Sequence, residues 1–339
     1  MFRLPINELD GFFAKIAAGR RLYLPVDQND GTSAFAEWSE GTKMSENLNT
    51  LRSAKSFFFP QVTNLCDFNV KDKEIEVIDN RADSEDFAVF GVRGCDARAF
   101  TILDKVFLVD PIDSYYATRR EHGVIITLAC TMPEEHCFCN VFGIDATSPE
   151  GDVTTWKTDS YLYLNANTEK GEAFIAGIKD ILEECAADEV EAQRAKTKEI
   201  MAKLPFANVS TEYFEKNTLL DIFNSEKWEK LSEACIACGT CTFVCPTCQC
   251  YDIKDFDTGH GVKRYRTWDS CMYADFTKMA AANSRNSQMQ RFRQRFMHKL
   301  VYFPDNNNGE FGCVGCGRCL TRCPISMNIV KVIKTFGEE

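Results

Sequence analysis

Apolar and polar residues alternate at two spacings along the first half of the chain. Ile6, Leu9, Phe12, Phe13 and Ile16 fall on one face of a helix over 6–18. Residues 20–26 read as a strand, 33–38 as a weaker one and 75–78 as another. The run Phe57-Phe58-Phe59 ends at Pro60 and predicts a segment buried under a sheet. Two short continuous apolar runs, 87–92 and 123–129, have the look of strands covered on both faces, with a helix over 99–107 between them. Strand, helix and strand in that order predict an α/β unit with a parallel pair, with 154–156 and 161–164 adding antiparallel edge strands. Helical spacing returns at Phe174, Ile175, Ile178, Ile181 and Leu182, which places one or two amphipathic helices in 171–201. It returns again at Phe214, Leu219, Leu220, Ile222 and Phe223, and around 288–298.

This periodicity gives way to cysteine spacing in the last third. Cys235, Cys238, Cys241 and Cys245 precede Pro246, and Cys313, Cys316, Cys319 and Cys323 precede Pro324, each set in the pattern C-x2-C-x2-C-x3-C-P. Three thiolates in a tight loop suit three irons of a cubane, and in two-cluster ferredoxins the fourth thiolate ligates the other cluster. The expected quartets are therefore Cys235, Cys238, Cys241 and Cys323 for one [4Fe–4S] cluster, and Cys313, Cys316, Cys319 and Cys245 for a second. Structural zinc uses two C-x2-C pairs and needs neither the third cysteine nor the proline. The motifs lie unusually far apart, which marks an insert at about 247–311. The expected organisation is an N-terminal α/β domain over 1–170, helices over 171–230, and a bacterial dicluster ferredoxin-like domain over 231–339. The fold class is α/β with an α+β character overall.

Four more cysteines sit at strand ends of the α/β part: Cys95 in a loop after one strand, Cys130 after the next, and Cys137 and Cys139 in the loop that follows. Ligand sites in open α/β sheets gather at such ends, so these four are candidates for a third [4Fe–4S] site. A zinc site or four buried core thiols are the alternatives. Cys248, Cys250 and Cys271 could hold a metal with a fourth ligand, line the clusters as neighbouring sulfurs, or be core, as Cys66 and Cys185 are expected to be.

Composition narrows the class. The chain has 339 residues and 17 cysteines, with no export signal and no apolar run long enough to span a membrane. That usage points to thiolate ligands in a reducing cytoplasm, of an anaerobe, and away from disulfides. A net charge of −11 excludes nucleic acid as a natural partner. Against that balance, 263–299 carries Lys263, Arg264, Arg266, Lys278, Arg285, Arg291, Arg293, Arg295 and Lys299 with only Asp269 and Asp275. Three readings follow: a surface for an acidic partner, an offset to negative cluster cages, or a solvated face. Gly91 and Gly94 form only a fragment of a dinucleotide fingerprint, and His122, His136, His260 and His298 form no ligand pattern. No acid–base pair stands out, so no catalytic residue is assigned and an electron conduit is the simplest reading. A chain that binds its own flavin or substrate in the α/β domain, and a zinc-stabilised scaffold, are the competing classes.

The stretch 235–250, the Trp268-Asp-Ser-Cys271-Met segment, Met297-His-Lys299 and the second motif resemble the β subunit of sulfhydrogenase and, equally, the iron–sulfur subunit of anaerobic sulfite reductase. The resemblance extends to Gly91-Val-Arg-Gly-Cys95-Asp and to the loop with Cys130, Cys137 and Cys139. It implies a chain wired between a flavin subunit that takes electrons from NAD(P)H and a terminal reductase or hydrogenase. It also implies a cluster at the N-terminal quartet. Where relatives carry Gly-Gly-His after the Trp-x-Ser-Cys segment, this chain has Ala280-Ala-Ala-Asn-Ser-Arg285, which leaves a subunit feeding a heterodisulfide-reductase-type complex as an alternative.

Overall fold

The apolar runs and several less obvious segments become strands β1 (Phe2–Pro5), β2 (Arg21–Asp27), β3 (Ser33–Glu37), β4 (Val62–Lys71), β5 (Glu74–Asp79), β6 (Phe87–Val92), β7 (Gly123–Leu128), β8 (Val153–Lys157), β9 (Tyr161–Ala166), β10 (Glu183–Glu184), β11 (Tyr251–Asp257) and β12 (Gly261–Trp268). The structure is a computed structural model that describes residues 1–47, 49–71, 73–83 and 85–338. The chain divides into two compact units. One comprises Met1–Phe58, Ser84–Ala207 and Val314–Cys316; the other comprises Phe59–Asp83, Asn208–Cys313 and Gly317–Glu339. This partition differs from a division at 170 and 231. Residues 59–83 fold with the second unit, and three residues of the second cysteine motif fold with the first.

The first unit is built on an eight-stranded sheet in the order β10-β1-β9-β8-β7-β6-β2-β3. The central β2, β6, β7 and β8 run parallel, flanked by antiparallel strands on both sides. All six residues of β6 and of β7 are buried, as expected of strands covered on both faces. Residues 154–156 are not in an edge strand: β8 pairs parallel with β7 and antiparallel with β9, and its first four residues are buried. The N-terminal helix Leu9–Ala17 follows a 3-10 turn and inserts Phe12, Phe13 and Ile16 against Leu22, Leu24, Phe90 and Ile126. Phe13 and Phe90 meet edge to face at 5.1 Å, a favoured aromatic geometry. The 171–201 region is helix Glu169–Ala176, two 3-10 turns around the short β10, and helix Glu191–Ala202.

One expectation fails at the centre of this unit. Cys95 is not in a loop. Helix Gly94–Phe107 begins directly after β6, with Arg93 as its extended N-cap, and Cys95 sits in the first turn. The strand passes into the helix without a connecting loop, so the carboxyl end of the strand and the amino end of the helix coincide at this thiol.

The second unit holds a four-stranded antiparallel sheet, β11-β12-β4-β5. The 247–311 insert supplies the β11–β12 hairpin, and 75–78 belongs to β5 in this sheet and not to the α/β sheet. Trp268 at the end of β12 stacks on Phe59 and donates its indole N–H to Phe59 O at 3.1 Å. The helical core packs Trp228 against Phe292 and Phe336. Helix Gln288–Met297 starts with a reciprocal capping box between Ser287 and Gln290. It continues into one π-helical turn, His298–Tyr302. The amphipathic helix Ile329–Gly337 buries Ile329, Val330, Val332, Ile333 and Phe336 and is capped by Asn328, which accepts from the Lys331 N–H.

Candidate iron–sulfur site

The two cysteine motifs share a backbone. The third and fifth residues of each have positive φ: Ala237 (54°) and Gly239 (73°) in one, Gly315 (58°) and Gly317 (78°) in the other. The third cysteine of each then lies in a four-residue helix, Thr240–Phe243 and Arg318–Thr321. Such a double left-handed turn tightens the loop and brings its side chains to one side. At Gly315 the requirement is also steric, because a Cβ would stand 2.4 Å from Phe138 O.

In the second unit, Cys323 of the late motif is an electrostatic neighbour of Cys235 of the early one, and Cys241 neighbours Cys319 and Cys235. Burial pushes the Cys241 thiol up to about 11, whereas Thr240 beside Cys238, with Oγ1 3.4 Å from Sγ, draws the Cys238 thiol below its usual value. The Met327 N–H donates to Cys323 Sγ at 3.2 Å. Cys245 takes a hydrogen bond from Cys248, which holds it well below the ordinary thiol value against the effect of burial; Lys299 and Thr247 act in the same direction. Cys248 is correspondingly raised. Cys250 is lowered to about 7 by a hydrogen bond from Cys271, whose own thiol is raised by the same pairing and by burial. Cys248, Cys250 and Cys271 thus lie in pairs beside the motif, Cys248 against Cys245 and Cys250 against Cys271.

The cations among these sulfurs are the feature that spacing did not reveal. Arg295 and Lys299, one helical turn apart, are 2% and 4% exposed. Arg295 donates to Cys241 O at 3.3 Å, while its Nε and Nη1 have no hydrogen-bond partner among the described residues. Lys299 donates to Thr247 Oγ1 at 2.6 Å and to Gly312 O at 3.2 Å. Neither forms an ion pair with a carboxylate among the described residues. Burial opposes the charge on each. The cysteines prevail: Cys241, Cys319, Cys248 and Cys245 hold Arg295 charged, and Cys245, Cys248 and Cys313 hold Lys299 charged. An unpaired buried ion is costly by several kcal/mol in practice, so the donor set fits an anionic thiolate-bound group here. Of the expectations for the basic stretch, the burial of these two among cysteines fits the offset to negative cages. Several of the others are engaged within the chain: Arg264 pairs with Asp255, Arg266 is buried over Phe59 and Tyr251, Arg291 donates to Arg285 O, and Arg293 lies on the Phe223 ring. His298 is buried, and burial with the adjacent Lys299 lowers it to about 4, leaving it neutral.

The first unit repeats the arrangement. Arg93, 4% exposed, donates to Leu128 O at 3.2 Å and Ala129 O at 3.4 Å, and has Cys130 and Cys95 as electrostatic neighbours. Burial pushes Cys130 up to about 11, with Arg93 opposing and Cys137 adding to the shift. Cys139 is raised by burial and neighbours Cys130, Cys137 and Cys316. Asn49 donates to Cys137 Sγ at 3.6 Å. Cys130, Cys137 and Cys139 are thus electrostatic neighbours, Cys95 shares Arg93 with Cys130, and Cys316 neighbours Cys139, in a loop tied to this one by the Phe138 N–H to Gly315 O hydrogen bond of 2.9 Å. Arg93 and Asn49 were not legible as site residues, because neither belongs to a metal-ligand pattern. Cys66 is only partly buried, on β4, and so is not the core residue expected; Cys185 packs partly buried against a small cluster with Trp156, Tyr163 and Val190. Among the described residues, no three His, Cys, Asp or Glu side chains form the ligand set of a single metal ion. A cubane differs from a single ion in that each thiolate meets its own iron.

Cysteines in paired glycine-turn loops, cations buried among them, and a mixed α/β scaffold define an iron–sulfur electron-transfer protein. Residues 234–327 match the 4Fe-4S dicluster domain family. Over 338 residues, covering 96% of this chain and 95% of the relative, the sequence is 32% identical to sulfhydrogenase 2 subunit beta of Pyrococcus furiosus. The chain belongs to the sulfhydrogenase β-subunit family, as an iron–sulfur oxidoreductase subunit. No solved structure matches it. No helix among the described residues is long and apolar enough to cross a membrane.

Proposed function

We propose that this chain carries electrons through three [4Fe–4S] centres inside a cytoplasmic hetero-oligomeric oxidoreductase. Cys235, Cys238, Cys241 and Cys323 hold the first, Cys313, Cys316, Cys319 and Cys245 the second, and Cys95, Cys130, Cys137 and Cys139 the third. Bound cubanes supply reversible one-electron storage. The protein supplies the rest. Arg295, Lys299 and Arg93 balance the charge of the thiolates, and Thr240, Thr247, Asn49 and the Met327 N–H hydrogen-bond sulfur. Hydrogen bonds and charge near the sulfurs are the protein's means of setting potential. The observation that carries this reading is the burial of Arg295 and Lys299 amid cysteines with no carboxylate counter-ion among the described residues. The partners that fit are a flavin subunit oxidising NAD(P)H on one side and a terminal hydrogenase or sulfite reductase on the other. The relative's name favours the hydrogenase, and a heterodisulfide-reductase-type complex is the alternative.

The test is iron and zinc analysis of anaerobically prepared chain. About twelve irons per chain are expected, falling to about eight when Cys137 and Cys139 are replaced by Ser, four irons per cubane. Iron near eight with stoichiometric zinc in the unaltered chain would overturn the third centre. Co-purification under anaerobic conditions identifies the partners.

A further inference from the structure

We propose that a cleft in the first unit binds a small organic anion beside Arg93. The cleft has a volume of about 480 Å³ and lies at the carboxyl ends of β6, β7 and β8, the end of a parallel sheet where ligands collect. Leu128 and Ala129 form an apolar floor at the end of β7. Arg93 enters from the end of β6, Lys157 from the end of β8, and Gln193 and Lys196 from helix Glu191–Ala202. Lys157 is matched by Glu46. Lys196 has no ion-pair partner among the described residues; with Arg93 and Lys157 it sets three cations against the two lining carboxylates, Glu46 and Asp159, an excess of one positive charge. Gln193 donates its amide to Lys157 O at 3.0 Å, and its Oε1 is buried with no donor among the described residues.

These groups specify the ligand's chemistry. Cations at the wall call for a carboxylate or phosphate group. The apolar floor, and a volume within the range of small-molecule sites, call for a carbon skeleton in place of a bare inorganic ion. Gln193 Oε1 calls for a hydroxyl or other donor on that skeleton. Among the described residues no aromatic ring lines the cleft, so none is there for a flavin or nicotinamide ring to stack on. Arg93 faces both the cleft and Cys95 and Cys130. A bound anion would offset its charge and make reduction of the neighbouring centre harder; this coupling, though not the binding, rests on the redox reading of the four cysteines.

The experiment is isothermal titration of the anaerobically prepared, iron-loaded full chain with acetate, succinate and glycerol 3-phosphate. Succinate or glycerol 3-phosphate is expected to bind at one site per chain, more tightly than acetate. Lys196→Ala and Gln193→Leu, each removing one polar contact from a partly exposed helix face, should weaken binding about tenfold. Iron per chain is measured on the same samples. No saturable binding of any of the three below about 10 mM, or unchanged binding in both variants, overturns the proposal. An iron count that lacks the third centre while binding persists overturns only the coupling.

Discussion

Replacing Arg295 by Met removes a full positive charge from among the cysteines while keeping most of the side-chain volume. Arg295 reaches Cys241 O at 3.3 Å, so a cluster held by Cys241 would lie within a range, on the order of 6–10 Å, over which a unit charge acts strongly. At an effective dielectric constant of about 20, one unit charge at that range is worth about 1.7–2.8 kcal/mol. Adding an electron makes the centre more negative, so losing the cation disfavours reduction. For a one-electron couple the expected fall in midpoint potential is about 70–120 mV. Arg295→Lys should recover most of it. The assay is an anaerobic redox titration followed by electron paramagnetic resonance, with iron content confirming a loaded variant. A loaded variant whose potential rises, or moves by less than about 20 mV, would refute the reasoning that the cation offsets a cluster.

Further outcomes follow from the geometry. Gly315→Ala forces a Cβ against Phe138 O from a positive-φ position and should destabilise the chain by about 1–3 kcal/mol in denaturant melts, while Ala237→Gly, the reverse change at the matching position of the other loop, should stabilise it by about 0.5–1 kcal/mol. Phe90→Ala leaves a cavity between Phe12 and Phe13 and should cost about 3–5 kcal/mol. Arg293→Ala loses a guanidinium stacked 3.5 Å from the Phe223 ring centroid and its bond to Phe223 O, for about 1–2 kcal/mol. Burial works against the Asp145 carboxylate, but the Thr147 hydroxyl and N–H and nearby Lys198 lower its pKa overall. Its contribution to stability is therefore complete above the unfolded value of 3.8 and disappears as pH falls through the lower folded value. Melts between pH 6 and pH 2 should show that loss, and Asp145→Asn should remove it.

Some of this protein was decided by sequence alone. The repeated cysteine spacing named the dicluster class without any coordinates, because a cubane-binding loop is a local object whose three thiolates and left-handed residues lie within a few positions. Strands β6 and β7 were legible because burial on both faces leaves a short unbroken apolar run, and the helix ending near His298 because its apolar period is 3.6. Other parts depended on pairing over long distances. Strand β12 joins β4 across nearly two hundred positions, and β11 and β5 are exposed along their length, so neither periodicity nor burial advertised a second sheet. The placement of Cys95 in a helix required knowing that β6 meets Gly94 with no loop between. Which basic residues offset the cages was equally undecided: in sequence Arg295 and Lys299 are two of nine, and only the capped helix and its π-turn aim them inward. Charge composition is a sum along the chain, whereas the energy of a charge depends on which groups surround it after folding, and that was decided by tertiary structure.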